Sequence, residues 1–320
     1  MTSRVALVSS ERGLRLDPDL PLAAPALREA GCAVDCVRWD DPAVDWAGYD
    51  LAVVRSCWDY AWRRAEFLAW ADAVPRLRND AAVLRWNTDK THLRDVEAAG
   101  LPVVPTVWDP ASAADLPDAG EWVVKPSVSA GARDTARWTD PGDVLAHVAQ
   151  LTAAGRTAMV QPYQASVDDA GETALLFLGG RFSHAARKPP MLGRGEGVRQ
   201  DRSGRRGVRP ATATPEQREL AQAVVDAVPA LVRDALPALV RDTPSSRGRD
   251  ALPSRGRDAP RSRGRDAAPL LYARIDLVAD PAGRPVVLEV ELTEPNLFLP
   301  HAPAEALPRL VRAVGDAIAA

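Results

Sequence analysis

Lysine is nearly absent from this 320-residue chain. Lys90, Lys125 and Lys188 are the only three, so 37 of the 40 Lys and Arg residues are arginine. Cysteine is scarce as well. Cys32, Cys36 and Cys57 are too few, and odd in number, for a disulfide framework. They lie in or beside apolar segments, which predicts reduced, buried thiols. Cys32-x3-Cys36 lacks a second Cys/His pair at finger spacing, which counts against zinc. Long apolar runs are missing: none approaches the ~20 residues of a membrane helix, and no signal-peptide pattern precedes Val5. A cytoplasmic protein with no membrane partner is expected.

Hydrophobic residues make up 46% and charged residues 26%, ordinary values for a globular protein, and the length suggests about two domains. The net charge of -3 is unevenly spread. Residues 193–210 hold six Arg against Glu196 and Asp201, and residues 241–266 hold eight Arg against four Asp. Two segments of +4 leave -11 for the rest, an acidic body unlike the broad basic face that nucleic acid requires. No nucleic-acid partner is expected.

Residues 5–55 alternate short apolar runs (Val5–Val8, Ala33–Val37, Leu51–Val54) with the helical stretch Leu20–Ala30, a βαβ rhythm that predicts a parallel sheet. Helices are expected at Arg63–Ala73 and Asp89–Ala99. Strands are expected at Trp122–Lys125, Ala158–Gln161, Glu172–Leu178 and Arg181–Ala186, then at Leu270–Val278 and Pro285–Leu292 before a last amphipathic helix, Pro303–Ile318. The chain is thus α/β at its start and α+β afterwards. Residues 229–268 repeat with period eight. The first units extend a helix begun near Pro215; residues 243–268, rich in Arg, Gly, Ser and Pro, are expected as a disordered insertion.

The three lysines occupy three distinctive segments, Trp86-Asn87-Thr88-Asp89-Lys90, Trp122-Val123-Val124-Lys125-Pro126 and Phe182-Ser183-His184-Ala185-Ala186-Arg187-Lys188. An ammonium is a compact point charge suited to a phosphate oxygen, whereas a guanidinium is a planar fork. Codon bias accommodates one such survivor; three point to phosphate handling. The small-residue loop after Lys125, Ser127 to Thr135, offers backbone N–H groups to phosphates but matches neither Gly-x4-Gly-Lys-Ser/Thr nor Gly-x-Gly-x-x-Gly.

Alternation puts Arg274 and Asp276 on one face of the first late strand, and Glu289 and Glu291 on one face of the second. Either strand alone reads as a solvated sheet face. Together, three carboxylates within 16 residues and beside Arg274 predict a magnesium site.

The order of these segments resembles the ATP-grasp superfamily, in particular its glutathione-synthetase-like branch. The motifs Arg55-Ser56-Cys57-Trp58-Asp59-Tyr60, Trp86 to Lys90, Phe182 to Lys188 and Glu289-Val290-Glu291-Leu292-Thr293-Glu294-Pro295 are similar to the ligases that close O-ureido-serine into cycloserine. The resemblance implies a Rossmann-like domain over residues 1–85 and an ATP-grasp domain over 86–320, whose α+β subdomains, 86–156 and 157–320, clasp ATP. It implies that Lys90 and Lys125 hold nucleotide phosphates under a loop containing Ser127, Ser129 and Gly131. Gln161, Pro162 and Tyr163 would meet adenine, and Glu172 the ribose. Arg187, Lys188 and Arg274 would serve transfer, with Asp276, Glu289 and Glu291 holding Mg2+. Many relatives carry Asn where Glu291 stands. Substrate contacts are expected at Arg55, Ser56, Trp58, Tyr60 and Asn296.

The reaction implied is an ATP-dependent, ADP-forming carboxylate-amine ligation or cyclisation through an acyl-phosphate, on small amino-acid-like carboxylate and amine substrates. A nucleotide-binding regulatory or scaffold protein without ligase chemistry is the alternative. Oligomeric state, including a homo-oligomer, stays open.

Overall fold

The computed structural model describes residues 2–200, 207–241 and 269–320; the segment expected as disordered, 243–268, lies outside them. The first sheet contains β1 (Arg4–Ser9), β2 (Ala33–Arg38), β3 (Leu51–Ser56) and β4 (Leu77–Arg78), in the order β2-β1-β3-β4 and all parallel. Strands β1 and β3 are apolar on both faces because both faces are covered. Val5, Leu7 and Val53 pack with α2 (Leu20–Glu29) and with α9 (Ala306–Ala319), while Ala6, Val8 and Val54 pack with Phe67 and Leu68 of α3 (Arg64–Ala73). Short α1 (Glu11–Leu16) follows β1; a Cβ on its Gly13 would come 2.3 Å from the Ser56 carbonyl, so only glycine lets it lie against β3.

A second sheet is antiparallel. Its strands β5 (Val107–Trp108), β6 (Trp122–Pro126), β7 (Ala136–Trp138) and β8 (Ala158–Pro162) run in the order β5-β8-β6-β7, backed by α6 (Pro141–Ala153) through Val144, Val148 and Leu151. The third sheet is antiparallel and five-stranded, ordered β11-β10-β9-β12-β13. It contains β9 (Glu172–Leu178), β10 (Arg181–Lys188), β11 (Arg209–Ala211), β12 (Tyr272–Ala279) and β13 (Pro285–Glu291).

One face of the third sheet is covered by α8 (Pro215–Arg241), which absorbs the first two repeat units with Pro229 and Pro237 inside it. An interior proline costs roughly 3 kcal/mol. Burial of Val224, Val225, Val228 and Val232 against Leu175, Phe177 and Ile275 offsets that, at roughly 1.5–3 kcal/mol per large side chain. Helices α4 (Ala81–Asn87) and α5 (His92–Ala98) link the first sheet to the others, and α7 (Ser166–Ala170) precedes β9. Helix α4 crosses the boundary expected at 85/86 and packs on both α3 and α8. The helix expected over Asp89–Ala99 begins only at His92, because Asp89 to Thr91 form a turn tied to the loop after β6. Among the described residues no helix is long and apolar enough to cross a membrane.

The cysteines are free. Cys57 is buried as expected, but Cys36 is exposed because β2 is an edge strand, and Cys32 is half-buried in the turn after α2.

Candidate active site

A cavity of about 420 Å3 lies where the second and third sheets face each other beside the ends of β1 and β3. Its charged floor comes from strand register. Asp276 stands opposite Glu289 and Arg274 opposite Glu291, so both pairs project to one side. Ligand oxygens of Asp276, Glu289 and Glu291 lie within 4.8 Å of one another. Such a set of hard oxygen donors is what Mg2+ takes beside substrate phosphates, so these residues fit the ion.

Cations balance the carboxylates. Arg274 donates from Nε to Asp276 Oδ1 at 2.9 Å and from Nη2 to Asp276 Oδ2 at 3.0 Å, and its Nη2 also bonds Glu291 Oε1. Lys188 Nζ donates to Glu172 Oε2 at 2.5 Å and to Asp276 Oδ2 at 2.7 Å. Lys125 Nζ reaches Glu289 Oε1 at 3.3 Å. Burial would push Glu289 up, yet Lys125 and then Lys90 hold it well below the usual carboxylate range. Burial lifts Glu291 to about 7 despite Arg274, with Asp276 and Glu289 adding to the rise. Burial opposes the charge on Lys188, and Asp276 and Glu172 overcome it, so its pKa is raised. Gly171 makes that contact possible. It has φ +69°, and a Cβ there would come 2.2 Å from the Lys188 carbonyl.

Lys90 enters from the start of α5. Its Nζ donates to the Ser129 carbonyl at 3.1 Å and to Ser129 Oγ at 3.2 Å, and its backbone N–H bonds the Ser127 carbonyl at 2.9 Å. The small-residue loop is therefore strung over the cavity, with Ser129 and Gly131 in its wall. Tyr60 Oη donates to the Ser129 carbonyl at 3.4 Å, joining the loop to the first sheet. Gln161, Pro162, Tyr163 and Leu288 also line the cavity, and Tyr163 and Leu288 pack against one apolar cluster with Val104, Val167, Val278 and Val286. The Arg137 guanidinium lies 3.4 Å over the Tyr163 ring, and Tyr163 Oη donates to Asp168 at 2.6 Å; burial and that bond raise the phenol pKa. Arg12, Trp58, Glu294, Asn296 and Phe298 complete the wall.

The structure thus gathers Lys90, Lys125, Lys188, Glu172, Arg274 and the three carboxylates around one space, with Ser129, Gly131, Gln161, Pro162, Tyr163, Trp58, Tyr60 and Asn296 in its wall. Four expected residues lie elsewhere. Arg187 sits opposite Thr173 and Arg209, one position from Lys188, so alternation turns it towards the face covered by α8. Arg55 is 2% exposed and donates to Asp19 and to the Pro295 carbonyl, clamping the segment after β13 rather than facing the cavity. Ser56 bonds Ser9, and Ser127 contributes its backbone.

Asn87, His92, Arg12 and Glu294 line the cavity without having been expected there. Asn87 stood inside a quoted motif. His92 carried no signal beyond lying two residues from Lys90. Its Nδ1 lies 2.8 Å from the Asp89 carbonyl, so Nδ1 carries the proton and donates; burial then lowers its pKa to about 4, leaving Nε2 as a neutral acceptor.

Residues 5–79 match the model of the N-terminal domain of D-cycloserine synthetase DcsG. The cycloserine biosynthesis protein DcsG of Streptomyces lavendulae is 34% identical over 98% of this chain and 98% of its own length. The crystal structure of D-cycloserine synthetase DcsG superposes with a TM-score of 0.80 at 31% identity, covering 99% of this chain and 100% of that one. A RimK-domain ATP-grasp protein from Sphaerobacter thermophilus superposes at TM-score 0.61 and 14% identity, covering 99% and 100%. The ATP-grasp ligase PsnB, complexed with a minimal precursor, Mg and ADP, does so at 0.56 and 16%, covering 99% and 98%. These two more distant likenesses establish the ATP-grasp fold.

Proposed function

We propose a reaction from one premise: the chain belongs to the ATP-grasp ligase family of the cycloserine synthetase DcsG. It is an ATP-dependent ligase that acts on small molecules. The finer reading is that a substrate carboxylate attacks the γ-phosphorus of ATP, ADP leaves, and an amine then attacks the acyl carbon and expels phosphate. In a cyclo-ligase the amine belongs to the same molecule. The observation that carries this reading is the meeting of Lys90 and Lys125 with Asp276, Glu289, Glu291 and Arg274 in one cavity.

Adenine would lie against Tyr163 and Leu288, with Lys90, Lys125 and the loop N–H groups along the phosphates. Asp276, Glu289 and Glu291 would hold Mg2+, which neutralises phosphate charge when bound; the Mg and ADP bound to PsnB support that role. Arg274 is fixed by Asp276 and Glu291 and reaches the Asn296 carbonyl with Nη1 at 3.4 Å, and from that place it would bring its positive charge to the transferred phosphoryl or the carbonyl oxygen. Lys188 serves as the fixed counter-charge between Glu172 and Asp276 rather than as a phosphate ligand. Trp58, Tyr60, Glu294 and Asn296 would enclose an amino-acid-like substrate, and Arg12 supplies a cation to that wall. The division at 85/86, which α4 bridges, and at 156/157 belongs to the same proposal, the first domain supplying one wall of the acid's site and the second and third sheets holding the nucleotide.

The test is phosphate release from magnesium-ATP with a panel of amino acids and O-substituted serines. Release that depends on one class of acid supports the reading; thermal stabilisation by ADP without turnover on any of them contradicts it.

A further inference from the structure

Strand β13 is an edge strand carrying two of the three carboxylates. An edge leaves N–H and C=O groups without a ladder, and such a strand frays or shifts unless something covers it. Its lower part is covered by backbone: Val104 N–H donates to the Val287 carbonyl, and Val287 N–H to the Pro102 carbonyl, both at 2.9 Å. Among the described residues no strand covers the upper part, beside Glu289 and Glu291.

A side chain takes that place. Asn87 Nδ2 donates to the Val290 carbonyl at 2.8 Å, and Asn87 Oδ1 accepts from Leu292 N–H at 2.8 Å and from Thr293 N–H and Oγ1, both at 3.1 Å. A donor to residue n and an acceptor from residue n+2 form the pattern that the N–H and C=O of one residue on a parallel neighbouring strand present. Asn87 is 7% exposed, closes α4 and lies three residues before Lys90. One amide therefore ties the backbone of Glu289 to Glu291 to the turn that carries a phosphate lysine.

We propose that Asn87 is a positioning residue: its amide replaces a strand at the edge of β13 and fixes Glu289 and Glu291 relative to Lys90. This rests on the metal and phosphate roles proposed above. A carboxylate pair held from β12 alone, with the outer side of β13 unpaired, would still bind nucleotide through the lysines but would hold its metal geometry less firmly. Removing a group that orients metal ligands commonly costs 10–100-fold in metal affinity.

Asn79 supplies the control. It is buried and makes the same kind of staple, bonding Leu271 N–H, the Tyr272 carbonyl and the Leu292 carbonyl, but it does not line the cavity. ADP affinity is measured by calorimetry with and without Mg2+ for the full chain and for Asn87→Ala, Asn87→Asp and Asn79→Ala, together with thermal midpoints. Asn87→Ala should lower the magnesium-dependent gain in ADP affinity about tenfold or more while leaving metal-free ADP affinity within about twofold. Asn87→Asp keeps the three acceptor bonds and adds an anion, so a loss of metal gain there cannot come from missing charge; its turnover should recover as Mg2+ is raised. Asn79→Ala should lower the midpoint with the metal gain unchanged.

The proposal is overturned if the Asn87 variants behave like Asn79→Ala, or if their metal-free and metal-dependent affinities fall together. Should Asn87→Ala not fold, Asn87→Asp decides by the same criteria. A wild-type protein whose ADP affinity ignores Mg2+ would instead overturn the metal reading itself, and this inference with it.

Discussion

Lys125 Nζ lies 3.3 Å from Glu289 Oε1, a contact between the end of β6 and the middle of β13 across 164 residues of sequence. It joins the two halves of the site. The lysine neutralises the carboxylate; under the proposed roles, Mg2+ would take Glu289 and phosphate would take Lys125 in place of that pair. Burial lowers the pKa of Lys125 and Glu289 opposes that shift, so the ammonium depends on a negative neighbour in either state.

Lys125→Arg keeps the charge but places a planar fork where a point charge fits. Turnover should fall at least about a hundredfold, the usual cost of misplacing a group near the reacting centre by about an ångström. Steady-state phosphate release checks this, with ADP binding measured beside it to separate affinity from rate.

Lys188→Met should be costly for stability. Glu172 is 7% exposed and Asp276 0%, and Lys188 bridges both. Breaking such a buried arrangement costs about 3–5 kcal/mol because uncompensated charge remains. Urea unfolding measures it, and adding Glu172→Gln should restore part of the loss, as coupled partners do. A loss below about 1 kcal/mol would show that Lys188 is no structural counter-charge.

His92 gives a pH dependence whose sign is fixed. Its folded pKa, about 4, lies below the ordinary histidine value of 6.5. As pH falls through that window the unfolded chain takes up a proton that folded His92 does not, so folding weakens by roughly 3 kcal/mol in all. Above about pH 6.5 the contribution is fully present. His92→Gln should flatten the stability curve between pH 6.5 and 4 relative to wild type, read from unfolding midpoints at matched pH.

Arg187→Ala separates two neighbours. Arg187 faces α8 rather than the cavity, so turnover should stay within about twofold of wild type. A loss comparable to that of Lys125→Arg would put Arg187 in the transfer step after all.

Much of the architecture was legible because its signals were local. Apolar runs at Val5–Val8 and Leu51–Val54 announce buried parallel strands, and alternation at Arg274–Asp276 and Glu289–Glu291 correctly gave a shared face. What failed was non-local or conformational. The same alternation rule separates Arg187 from Lys188, since adjacent residues on a strand point to opposite faces, so the two cannot both serve transfer from one face of β10. Arg55 was expected at the substrate, but its partners, Asp19 and Pro295, lie 36 and 240 residues away and no pattern predicts them. Strands as short as β4, β5 and β11 carry too few residues for any periodicity, and Asn87 bonds an edge that exists only once the sheet has formed.

The central claim, that the acid is activated by phosphoryl transfer in this cavity, is tested most directly by isotope transfer. The acid that best supports phosphate release is labelled with oxygen-18 in its carboxylate and turned over with unlabelled magnesium-ATP. Attack of the carboxylate on the γ-phosphorus predicts one labelled oxygen in each phosphate released. Phosphate carrying no label would contradict the account.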